Sequence, residues 1–90
     1  MKSLADIKRA MVVGSEWEAY SYFGGKSMGV APIHRVQKNA VTFMRNIGNG
    51  KQAESWFRFP KASEVDFIDE DTFTVAYDGL LNLRYRRITS

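Results

Sequence analysis

From Ser55 to Ile88 apolar and polar residues alternate through three runs separated by short turn signals. Val65 and Phe67, then Phe73, Val75 and Tyr77, then Leu81, Leu83 and Tyr85 each stand two apart, the period of a strand with one buried face. The intervening Glu64, Asp66, Thr72, Thr74, Asn82, Arg84 and Arg86 form a polar face, so this third of the chain reads as an antiparallel meander wetted on one side. Parity constrains its turns. If Val75 and Tyr77 share a face with Leu81 and Leu83, the connection must hold an odd number of residues, which predicts a three- or five-residue loop around Asp78-Gly79-Leu80. The same count makes Ile68 to Thr72 a five-residue loop.

Upstream, Leu4, Ile7 and Met11 form one apolar stripe, with Ser3 as N-cap and Asp6 as a capping-box-like partner. This predicts a helix over 3–13, ending near Gly14, that must pack on the sheet because so short a helix is marginal in water. Trp17, Ala19, Ser21 and Phe23 alternate with Glu16, Glu18, Tyr20 and Tyr22 in a first strand, with Trp17 facing inward. Gly24, Gly25 and Gly29 suggest a loop, followed by a strand over Ala31 to Val36 whose Pro32 points to a strand start or an edge. Ala40 to Asn46 is a strand, Asn46 to Lys51 a hairpin loop, and Ser55 to Phe59 a strand that Pro60 stops. The expected architecture over 1–90 is a single mainly β (α+β) domain. Six to seven short strands over 16–88, with one N-terminal helix, would form a small antiparallel β-barrel or β-roll of SH3-like kind.

Ninety residues hold one core and leave no room for separate cofactor and substrate domains. The absence of Cys excludes disulfides, thiolate nucleophiles and Cys-based metal sites. Lys2, Asp6, Lys8 and Arg9 interrupt any signal-peptide core at the N-terminus, and no apolar run approaches spanning length, so the expected setting is cytoplasmic, without membrane contact. The net charge of +3 and pI near 9.4 meet the basic footprint of a nucleic-acid binder. Five of the ten acids fall between Glu64 and Asp71, which leaves the remainder of the chain more basic still.

Chemistry-bearing motifs are weak. Gly24-Gly25-Lys26-Ser27 ends like a phosphate loop, but Tyr20 stands where that motif needs glycine and the following segment is not helical. His34 is the sole histidine, so no two-histidine metal site can form. Asp69-Glu70-Asp71 lacks the EF-hand pattern and reads as a solvated hairpin tip. No catalytic residue, metal site or cofactor is expected.

What remains is aromatic and basic. Tyr20, Tyr22, Trp56 and Arg58 fall opposite the core, and Arg84, Arg86 and Arg87 are placed on the outer side of the last strand. Tyr20, Tyr22, Trp56, Arg58, Arg84 and Arg86 have the composition of an interface hot spot for a protein partner. Arg35, Lys38, Arg45, Arg58, Arg84, Arg86 and Arg87 are the alternative set, serving as phosphate contacts of a nucleic-acid binder. The competing reading covers Trp56 and the tyrosines with the helix or a second layer.

The runs Ser55-Trp56, Phe59 to Val65 and Val36 to Thr42, with the short helix leading into a Val-Gly step, resemble segments of small uncharacterised proteins carried by bacteriophages and other bacterial mobile elements. The resemblance carries no catalytic residues. It implies a bacterial or phage accessory protein of the kind that inhibits or modifies a host complex. The residues themselves favour a non-enzymatic interaction module that docks a host or phage protein partner through the aromatic and arginine face or by strand addition at an exposed edge.

Overall fold

The computed structural model describes residues 1–21, 25–77 and 81–89, with backbone only at 77, 81 and 82. Helix α1 spans Leu4–Ala10 and is followed by strands β1 (Glu16–Ser21), β2 (Ser27–Val36), β3 (Ala40–Gly48) and β4 (Lys51–Arg58). A single 3-10 turn, Ala62–Glu64, leads into β5 (Val65–Asp69), β6 (Thr72–Tyr77) and β7 (Leu81–Ile88). All seven strands belong to one antiparallel sheet in the order β4-β3-β2-β1-β7-β6-β5. Among the described residues no β4–β5 pairing closes it. Of the expected barrel or β-roll, barrel closure is not found among the described residues: the fold is mainly β, one open antiparallel sheet with two edges.

That sheet is nonetheless curled tightly. β4 and β7 lie four strand spacings apart, about 19 Å if the sheet were flat. The ring centroids of Phe57 on β4 and Tyr85 on β7 are 4.9 Å apart. Phe57 also meets Phe73 of β6 at 6.2 Å, and Phe43 of β3 meets Tyr85 at 6.1 Å. Aromatic contact across the concave face therefore holds the roll together, with Trp17 edge-on to Phe73. Ile7 of α1 and Met11 at its C-cap are fully buried in this core, as their spacing predicts.

The helix is shorter than the expected 3–13. Ser3 caps it by accepting from the Asp6 amide, while the Asp6 carboxylate accepts from Lys2 N rather than closing a box on Ser3. Beyond Met11 the chain is drawn onto β2, where Gly14 N donates to the Ile33 carbonyl and Ile33 N to that of Ser15. Those sheet bonds displace further helical ones.

β2 begins at Ser27, four residues before the expected start, and absorbs half of the glycine-rich segment. A bulge opposite Glu18 and Tyr20 accommodates the extra length, with Gly29 at φ 94° supplying a conformation other residues rarely adopt. Pro32 marks neither a start nor an edge. It occupies the last β1–β2 pair, opposite Glu16, and the next residue, Ile33, pairs with β3, so the missing donor falls where β2 changes partner.

The β3–β4 loop is tighter than Asn46 to Lys51. Gly48 pairs with Lys51 across Asn49-Gly50, whose positive φ values of 53° and 72° are those of a type I′ hairpin. In β5–β6 the turn is Glu70-Asp71, and a bulge between Phe67 and Asp69 keeps Phe67 opposite Phe73, so the odd spacing holds although the loop is shorter than predicted. Val75 pairs with Leu83 and Tyr77 with Leu81, the parity the alternation demands. Asp78, Gly79 and Leu80 themselves lie outside the described residues, as do Tyr22, Phe23 and Gly24.

Candidate functional site

The outward residues do not make one face. Phe57 and Tyr85 touch across the concave side, so their outward neighbours Trp56 and Arg58 on β4 point away from Arg84 and Arg86 on β7. The residues expected to form the partner-binding set fall into two separate clusters, and Tyr22 lies outside the described residues.

The first cluster is built on β2, β3 and β4. Cross-strand register sets Trp56 opposite Thr42 and Thr42 opposite Arg35. The Arg35 guanidinium grips Glu54 with two bonds, Nε to Oε2 at 2.7 Å and Nη2 to Oε1 at 3.0 Å. Thr42, fully buried beneath them, donates its hydroxyl to Glu54 Oε2 at 2.9 Å and accepts from Arg35 N at 3.1 Å. Arg35 and Thr42 hold the Glu54 carboxyl below its ordinary range. So fixed, the guanidinium lies 5.6 Å from the Trp56 ring centroid, a cation–π distance, while Trp56 remains 57% exposed. Neither α1 nor a second layer covers this indole. Arg58 follows on the same strand, donating to both oxygens of Glu64 at 3.3 Å.

The second cluster joins β1, β2 and β7. Glu18 accepts from Ser27 Oγ at 2.6 Å, from the Tyr20 hydroxyl and from Arg86 Nη2 at 2.9 Å. These donors, Ser27 foremost, hold its carboxyl down to about 2, and the Glu18 carboxylate in turn pushes the Tyr20 phenol up. Arg84, opposite Tyr20, makes no ion pair among the described residues and borders a hollow lined also by Ser21 and Gly25. Ser27, which closes the phosphate-loop-like run, is thus committed to a carboxylate.

The basic set is divided as well. Arg87 is corrected to the core-facing side of β7, opposite Trp17, where it binds Asp71 Oδ1 through Nε at 3.0 Å and Nη2 at 2.8 Å. Arg45 shares the inner parity of Phe43, whose ring centroid lies 5.3 Å from its guanidinium carbon. Lys38 sits exposed in the β2–β3 turn. Four of the seven, Arg35, Arg58, Arg86 and Arg87, spend their charge on internal carboxylates. Sequence reasoning misses those partners, Glu54, Glu64, Glu18 and Asp71. Glu18 has a signal of its own, an acid on the outer parity of β1, but the pairing with Arg86 needs the β1–β7 register.

His34 is exposed at the bulge between Ile33 and Arg35, and among the described residues no three His, Cys, Asp or Glu side chains gather into a metal-binding group. No described helix is long and apolar enough to cross a membrane. No family model matches the chain, and no curated protein or solved structure matches it significantly.

Proposed function

We propose that the chain is a non-enzymatic interaction module that docks a protein partner through the Trp56–Arg35 corner and the adjoining β4 edge. One observation carries this reading: a tryptophan more than half exposed, yet held against a guanidinium that Glu54 has already neutralised. A pre-ordered aromatic surface with its charge cancelled loses little side-chain freedom on binding and suits an apolar or aromatic anchor better than a phosphate. In this reading the open sheet is an SH3-like roll adapted to present an edge, and the chain serves a phage or mobile element in the bacterial cytoplasm.

A nucleic-acid role would rest on the other cluster, where Arg84, which makes no ion pair among the described residues, stands beside Tyr20. Capture from a host lysate at low and high salt, with nuclease, separates the two. A protein partner that resists both treatments and is lost from Trp56→Ala supports the module. Nucleic acid that washes off steeply with salt and depends on Arg84 overturns it.

A further inference from the structure

The β4 edge carries more information than its exposure. Phe59 N donates to the Asn39 carbonyl at 3.0 Å, immediately beyond the Ala40–Arg58 pair. In an antiparallel ladder such bonded pairs alternate. Phe57, Ser55 and Ala53 therefore turn their backbone groups toward β3, and Arg58, Trp56, Glu54 and Gln52 turn theirs toward the open edge. The residues whose N–H and C=O groups face outward are the same ones whose side chains lie on the convex face.

Along that edge Glu54, Trp56 and Arg58 follow the order acid, aromatic, base at every second position. Read antiparallel against itself, the order is self-complementary. We propose that β4 pairs with β4 of a second copy of this chain about a two-fold axis through Trp56. Trp56 then faces Trp56 of the second copy, and each Arg58 faces the other copy's Glu54. The backbone groups of Glu54, Trp56 and Arg58 supply both sides of the ladder. An isologous pairing of this kind closes the two open edges into one continuous sheet. Glu54 keeps its fork to Arg35 and its bond from Thr42, which leaves about one of a carboxylate's roughly four acceptor sites for Arg58 of the second copy, and Arg58 shares its guanidinium between that oxygen and its own Glu64.

This proposal rests on the reading of β4 and Trp56 as a docking surface and names its occupant. Sedimentation equilibrium of the full chain from about 1 μM to about 1 mM tests it, spanning the affinities expected of a small interface. The wild type is expected to form a concentration-dependent dimer. Arg58→Glu and Glu54→Arg each set like charges opposite one another twice, and each is expected to weaken the dimer about tenfold or more. Mixing the two variants restores both charge pairs and is expected to restore association. Trp56→Ala, a surface change, is expected to weaken it too, and near-UV dichroism checks that every variant is folded. A wild type that stays monomeric, or a dimer indifferent to all three variants, overturns the second copy as occupant. The broader docking reading fails separately, if Trp56→Ala captures the same partners as the wild type.

Discussion

The two edges of the sheet are opposites. β5 is five residues long, bulged at Ile68, and carries Asp66 and Asp69 beside Glu70. Two such edges would repel each other, and the bulge spoils the straight row of backbone groups that pairing needs. β4 has eight residues, no proline, and an unbroken register with β3 from Ala40–Arg58 to Asn46–Gln52. Its charges are mixed in sign and arranged to complement their own reverse. One edge is blunted and the other is left able to pair, which is why the proposed docking surface is assigned to β4.

The inner faces of the two edges differ as much. Phe57 of β4 is 2% exposed and meets the rings of Phe43, Phe59, Phe73 and Tyr85, whereas Phe67 of β5 is only half-buried. Phe57→Ala should therefore cost roughly 3–5 kcal/mol of unfolding free energy, a large part of what a small domain has. Phe67→Ala should cost roughly half that. Denaturant unfolding of both variants checks the ratio; equal losses would mean that the curl does not depend on Phe57.

On the convex face the ranking inverts. Trp56→Ala removes a cation–π contact at an exposed site, so the folded protein should lose no more than about 1 kcal/mol while association falls. Thermal unfolding and sedimentation of the same sample separate the two effects. A large drop in stability would make Trp56 a structural residue.

Between the edges, Glu18 supplies a pH signature. Its folded carboxyl sits at about 2 against an ordinary value of 4.5, so the stabilisation it gives is complete above 4.5 and is lost as pH falls through that window. Glu18→Gln should be less stable than the wild type at pH 7, and the difference should shrink as pH approaches 2. A constant difference across the titration would remove Glu18 from the acid response. The smallest effect is expected on β5, where Asp66→Asn should create no new association, because the bulge remains.

Much of the meander is legible in the alternation of the chain itself. That alternation places Val75 and Leu83 on one face, and parity requires an odd spacing between Phe67 and Phe73. Strand ends are less legible. Glycine at 29 and the polar run Lys51 to Glu54 hide real strand, since a bulge and an exposed edge both tolerate residues that propensity alone assigns to loops. The position of Trp56 opposite the core follows from parity. Its separation from Arg84 and Arg86 does not, because alternation assigns a side chain to a face and says nothing about how tightly that face is curved. The carboxylate partners of the arginines depend on cross-strand register, which the chain order alone leaves open.

The most direct measurement follows amide hydrogen exchange along β4 at low and high protein concentration. The amides of Ala53, Ser55 and Phe57, bonded to β3, should be protected at both. Those of Glu54, Trp56 and Arg58 should exchange fast when dilute and become protected when concentrated, in step with dimer formation. Uniform fast exchange of this second set at every concentration, or protection already complete in the monomer, would contradict an open, self-pairing edge.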